Sequence, residues 1–298
     1  MPTAHVNGLD IAYQTFGRQG DRPLLLIMGL GAQMILWDEE FCEQLAERGH
    51  YVIRFDNRDV GLSSKCDAGG IPDVMAAVGA SMVGQKIAAP YKLSDMAADA
   101  AGLLDALGVA KAHIVGASMG GMIAQTVAID HPHRVLTLTS IMSTTGNPDL
   151  PPATPEAMSA LLMPPPADRE GNIARSVEVF RTIGSPGFPF EEERIRDRAA
   201  RSYDRCYHPA GAVRQMVAIL ASGSRKEALR EVKQPALVIH GVDDPLVPLA
   251  GGIDTAETIP GATLLKIGGM GHDMPRPVWP RIIDAISALT LRQGQASS

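Results

Sequence analysis

The sequence lacks a long hydrophobic run, a basic stretch, a cysteine framework and an internal repeat, and each absence removes a class of protein. Its longest apolar stretch near the start, Pro23 to Leu36, is broken by small or polar positions and falls short of the ~20 residues that cross a bilayer. With 27 Lys+Arg against 33 Asp+Glu the net charge is -6. No cluster of cations is present to follow a phosphate backbone, so no nucleic-acid partner is expected and no membrane partner either. Three cysteines, Cys42, Cys66 and Cys206, stand far apart, an odd number that fits neither disulfide pairing nor a zinc cluster. They read as free thiols. The start, Met1-Pro2-Thr3-Ala4-His5, has no cationic segment leading into an apolar one, so the expected location is cytoplasmic.

What remains is an ordinary chain of 298 residues, 45% hydrophobic and 20% charged, enough to bury roughly 75% of the surface an unfolded chain exposes. Short aliphatic runs alternate with longer helical patterns in the first half, the signature of βα units around a mostly parallel sheet. Leu24–Met28, Tyr51–Phe55, Ala112–Val115 and Val135–Thr139 are the strand candidates there. Leu93, Met96, Ala100, Leu103 and Leu107 recur at three- and four-residue steps ahead of Gly108, which predicts an amphipathic helix with a glycine stop. From Asn147 to about Ser224 prolines cluster and no strong strand appears. The α/β rhythm resumes with Pro235–His240 and Thr263–Ile267 and closes on a helix around Ile282 to Leu291. One sheet interrupted by a helical cap is therefore expected: residues 1–146 and 225–298 form the core and 147–224 the cap, inserted after the sixth strand. A smaller insertion, Cys66 to Pro90, carries little periodic signal.

The decisive stretch is Val115-Gly116-Ala117-Ser118-Met119-Gly120-Gly121, a Gly-x-Ser-x-Gly between a strand and a helix. A serine there sits on a sharp turn that needs small residues two positions either side. The following helix directs its N-terminal N–H groups at the same point, favouring negative charge. A serine hydroxyl is a poor nucleophile at neutral pH, so a base and a group that orients the base are required. Among eight histidines, His272 stands out in Gly268-Gly269-Met270-Gly271-His272, directly after the last strand. His131 and His133 flank Pro132 at a helix end, His113 and His240 lie within strands, and His5, His50 and His208 have no evident partner. For the third member, Asp243 and Asp244 follow the penultimate strand. Two neighbours on a turn point differently, so only one can face the histidine.

The order Ser, Asp, His is the α/β-hydrolase order, and five separated motifs across roughly residues 5–146 and 225–292 resemble serine hydrolases of that fold. The resemblance aligns Gly241, Asp244 and Pro248 with a Gly-x-x-Asp-x-x-x-Pro pattern, which selects Asp244. It also aligns Asp56–Ser63 with Asp-x-Arg-Gly-x-Gly-x-Ser, except that Asp59 replaces a glycine. That departure, and Met28-Gly29 in place of His-Gly, make the chain similar to the anthracycline methyl-esterase subgroup. Asp56 and Arg58 are expected to brace loops. The resemblance implies catalytic residues Ser118, Asp244 and His272, and an oxyanion hole formed by the backbone N–H groups of Met119 and Leu30. It implies cleavage of carboxylic esters of small, largely apolar molecules through an acyl-enzyme, with no metal and no cofactor. Met28, Gly29, Met142 and Met270 are expected in the substrate pocket, among methionines that crowd the motif loops. A lactonase, thioesterase, C–C hydrolase or perhydrolase would use the same three residues, and a non-catalytic ligand receptor is the alternative outside enzymes.

Overall fold

Why the aliphatic runs become strands is visible in their burial: Leu24 to Ile27, Ala112 to Ala117 and Ala236 to Gly241 are each almost wholly excluded from solvent, as central strands covered on both faces must be. The computed structural model describes residues 1–296, with side chains through residue 292. Eight strands form one sheet, β1 (Thr3–Val6), β2 (Leu9–Phe16), β3 (Arg22–Ile27), β4 (His50–Phe55), β5 (Ala112–Ala117), β6 (Val135–Ile141), β7 (Ala236–Gly241) and β8 (Thr263–Ile267). Their order is β1-β2-β4-β3-β5-β6-β7-β8. Strands β3 to β8 run parallel, while β2 is antiparallel to both β1 and β4.

Alternation along each strand divides the core. Leu25 and Ile27 face one side, where they meet α3 (Leu93–Ala106) and α4 (Met119–Asp130). Leu24 and Leu26 face the other, against α1 (Glu39–Glu47) and α11 (Trp279–Ala296), as the two-residue period of a strand requires. Cys42 is sealed in that second layer, where burial pushes its thiol up to about 12. Gly108 takes φ 69° directly beyond α3, as its place after the periodic run predicts.

Two differences from the sequence reading stand out. The β1–β2 hairpin was not anticipated, although its turn is Asn7-Gly8 with φ of 51° and 76°, the residue pair that suits a two-residue turn with both φ positive. The segment between Cys66 and Pro90 contains a helix, α2 (Val74–Met82), capped by the Asp73 carboxylate accepting from the Ala76 N–H. Only Ala77 of that helix is buried, so it has no apolar periodicity to read.

Strands β6 and β7 are parallel neighbours, yet between them run α5 (Pro155–Leu162), α6 (Arg169–Ile183), α7 (Glu192–Arg205), α8 (Pro209–Ser222) and the short α9 (Lys226–Leu229), followed after β7 by α10 (Leu249–Thr258). This excursion leaves from the C-terminal end of β6 and rejoins the sheet at the N-terminal end of β7. No helix among the described residues is long and apolar enough to cross a membrane.

Candidate active site

The turn after β5 is built by steric necessity. A Cβ on Gly116 would stand 2.0 Å from the Gly120 carbonyl oxygen, and one on Gly120 would stand 2.1 Å from that of Ile27. Both positions therefore admit only glycine. Between them Ser118 holds φ 56°, a conformation costly for a residue with a Cβ, and this lifts its hydroxyl away from the sheet. Met142, at the end of β6, is also held at positive φ, 41°. The Ser143 hydroxyl donates to the Ser118 carbonyl at 2.8 Å, so the neighbouring strand end helps fix the turn.

The structure brings Ser118, His272 and Asp244 together. Ser118 Oγ lies 2.9 Å from His272 Nε2, and His272 Nδ1 lies 2.7 Å from Asp244 Oδ2. The second oxygen of Asp244 accepts from the Leu246 and Val247 N–H groups at 2.9 and 2.8 Å, which fixes the carboxylate in the turn after β7. Asp243 points elsewhere, accepting from the Gly269 N–H. The His272 loop is itself anchored to the α6–α7 connection: the His272 N–H donates to Ile183 O at 2.7 Å and the Gly271 N–H to Ser185 Oγ at 3.0 Å.

Beside the serine runs the loop after β3. The Cα of Gly29 packs so close that an added Cβ would be 3.2 Å from Ser118 Cβ. In this loop the Gly31 N–H donates to Gln215 Oε1 and the Ala32 N–H to Gly29 O. The Leu30 N–H is left without a partner among the described residues. Met119 opens α4, whose first N–H groups have no intrahelical acceptor.

These elements open on a cavity of about 880 Å³ that contains Ser118 and His272 in its wall, a size suited to a multi-ring organic molecule. Met28, Gly29 and Met142 line it. Met270 does not. It is fully buried in the layer between sheet and α11, because its carbonyl accepts from the Asp243 N–H and turns the side chain inward; Met34 is likewise core. The wall instead recruits Met75, Met163 and Met216 from the inserted segments. It also gathers six of the chain's thirteen aromatic residues, Trp37, Phe41, Phe180, Tyr203, Tyr207 and Trp279, so a sequence poor in rings has concentrated them where a ligand would lie.

A model of the alpha/beta hydrolase fold family matches the chain over residues 22–275. The chain belongs to the α/β-hydrolase family. Rhodomycin D methylesterase DnrP of Streptomyces peucetius is 31% identical to it, with 97% of this chain and 98% of that protein covered. A 2-hydroxy-6-oxononadienedioate/2-hydroxy-6-oxononatrienedioate hydrolase of Burkholderia vietnamiensis is 33% identical over 58% of this chain and 59% of its own length. Among solved structures, the meta-cleavage product hydrolase of Pseudomonas fluorescens superposes with a TM-score of 0.72 at 21% identity, over 100% of this chain and 98% of that one. That likeness speaks for the fold.

In this α/β hydrolase, Asp56 accepts from the Met34 and Leu62 N–H groups and pairs with Arg205 at 2.7 Å, while Arg58 grips Asp99. Asp56 ties loops together, and Arg58 ties its loop to α3. His208, which has no evident partner in the sequence, sits with Asp59 and Asp67 around the Arg214 guanidinium. Those two carboxylates and the imidazole converge closely enough to suggest a cation site, but Arg214 already supplies the positive charge there. Sequence reasoning missed Gln215, which braces the loop after β3 from α8; no local pattern marks it.

Proposed function

We propose that this protein is a serine hydrolase that cleaves carboxylic esters, with Ser118 as nucleophile, His272 as general base and Asp244 as the group that orients it. The observation that carries the reading is the Ser118–His272–Asp244 hydrogen-bond chain at 2.9 and 2.7 Å, facing a large aromatic-walled cavity. His272 Nε2 takes the serine proton as Oγ attacks the ester carbonyl carbon, and Asp244 stabilises the resulting imidazolium. The developing oxyanion accepts from the Met119 and Leu30 N–H groups, worth ~3 kcal/mol each by comparison with other hydrolases. Collapse expels the alcohol, which receives the proton from His272, and water activated by the same imidazole releases the acid.

Similarity to a rhodomycin D methylesterase and the clustered rings of the wall favour methyl esters on polycyclic aromatic acids within the ester class. We assign residues 1–146 and 225–298 to the hydrolase core and 147–224 to a cap that roofs the cavity; the run of α5 to α8 between adjacent strands supports that division. The unpaired state of Cys42, Cys66 and Cys206 suits a reducing compartment and so a cytoplasmic enzyme.

Labelling by a fluorophosphonate tests the nucleophile: wild type incorporates one equivalent at Ser118, and Ser118→Ala incorporates none. A substrate screen across aryl methyl esters, lactones and thioesters tests the class, and hydrolysis of lactones or thioesters in preference to every ester would overturn the esterase reading.

A further inference from the structure

Arg194 and Arg198 leave the same face of α7, one turn apart, and both line the cavity. Their surroundings differ. The terminal nitrogens of Arg194 reach Asp38 and Glu191 at 2.6 Å each. Arg198 has only the same Asp38 oxygen, at 3.5 Å and already held by Arg194. None of its five N–H donors makes a hydrogen bond among the described residues, its Nε is sealed from solvent, and the side chain is 11% exposed. The ring of Phe180, 5.5 Å from Cζ, offers a face but no acceptor. Asp273, the other carboxyl nearby, accepts from Ser185 Oγ and is pushed up by burial toward its neutral form.

A guanidinium largely withdrawn from bulk water stays charged and keeps its need for acceptors, and the terminal nitrogens of Arg198, unlike its Nε, remain open to the cavity. Neighbouring carboxylates match the local cations in number, Asp38, Glu191 and Glu40 against Arg194, Arg198 and Arg276, yet none of them accepts a hydrogen bond from Arg198. Burial disfavours the charge, and an anionic ligand accepting from these N–H groups would offset that cost.

We propose that Arg198 is the anion-recognising group of this cavity and that the substrate is an ester carrying a carboxylate remote from the scissile carbonyl, held by two parallel N–H···O bonds. This refines the expectation of a largely apolar substrate and rests on the hydrolase reading above. Rings would stack along the aromatic wall while Arg198 fixes the far end, so that the ester is presented to Ser118 in one register.

The test uses aryl methyl esters that differ only at the end remote from the ester, bearing carboxylate, carboxamide or methyl, over ring systems of increasing length. Wild type is expected to show kcat/KM for the carboxylate at least ~tenfold above both neutral partners. Arg198→Met collapses that ratio toward one, and Arg198→Lys keeps part of it because charge remains without the fork. Equal rates for carboxylate and carboxamide in wild type, or a ratio unchanged in both variants, would overturn the proposal. Binding of the same three compounds to Ser118→Ala protein, followed by the fluorescence of Trp37 and Trp279 in the cavity wall, reads Arg198 without turnover. There the carboxylate must bind at least ~tenfold tighter than the others, and lose that margin when Arg198→Met is added. Absence of hydrolysis for all three esters together with carboxylate-selective binding would sink the hydrolase reading and leave the Arg198 proposal standing.

Discussion

At the scale of single residues, the turn that carries Ser118 has no room to spare. Gly116→Ala would drive a methyl group against the Gly120 carbonyl, so the turn must open. We expect a loss of about 1–3 kcal/mol or more in urea unfolding, since overpacking costs that much, together with loss of ester hydrolysis as Oγ leaves His272. Ser118→Ala keeps the turn and is expected to lower kcat by ~10³-fold or more with stability unchanged, because members of such a relay fail as a unit. Activity retained in that variant would remove Ser118 from the mechanism. Both glycines and the serine are legible in seven consecutive residues because the constraint on them is local. The choice between Asp243 and Asp244 is not local; it depends on which carboxylate meets a loop 28 residues further on.

Among elements, the strongest tie lies between α8 and the loop after β4. Asp59 replaces the glycine of the resembling pattern and holds φ 74°, a conformation that aspartate tolerates better than most residues. Its carboxylate accepts from Arg214 at 2.8 and 2.7 Å and from the Tyr91 hydroxyl and Cys66 N–H. Both side chains are almost fully buried. Burial opposes the Asp59 charge, and these bonds outweigh it, holding the carboxyl below its usual range. Arg214→Met leaves that carboxylate without its cation, and we expect a loss of about 3–5 kcal/mol, the usual cost of breaking a buried pair. Adding Asp59→Gly should recover part of it, since glycine suits the backbone and removes the stranded charge. A double variant less stable than Arg214→Met alone in urea titration would refute this account. The Asp59 departure was visible in the sequence, but its partner was not, because Arg214 lies 155 positions away in a segment with no recognisable pattern.

For the molecule as a whole, stability is linked to pH through histidines buried in and beside the sheet. Burial, then the nearby charges of His50 and Arg22, lower His113 to about 4; burial lowers His50 and His240 as well. The unfolded chain binds these protons more readily than the native one, with an ordinary pKa near 6.5. The contribution of His113 is therefore complete above pH 6.5 and is lost as pH falls through about 4, and those of His50 and His240 are lost in the same direction. His113 alone accounts for about 3 kcal/mol of that loss. His113→Asn, which can still reach the Thr137 hydroxyl that His113 Nδ1 meets at 2.9 Å, should flatten the dependence of the urea midpoint between pH 7 and pH 4. An unchanged slope would exclude His113 as its source.

The alternation of strands and helices, the strained serine turn and the order serine, aspartate, histidine follow from the sequence, because each depends on neighbours within a few residues or on the direction of the chain. The β1–β2 hairpin was also encoded locally, in Asn7-Gly8. The cavity was not. Its rings, its methionines and the unmatched Arg198 come from segments spread between Met28 and Trp279, and nothing in the spacing of such residues says which of them will meet. Met270 stands beside His272 in sequence and turns into the core, while Arg198, on α7 of the insertion, reaches the cavity wall. Which side chains face a ligand is fixed by how the inserted helices pack over the sheet, a property of the tertiary structure alone.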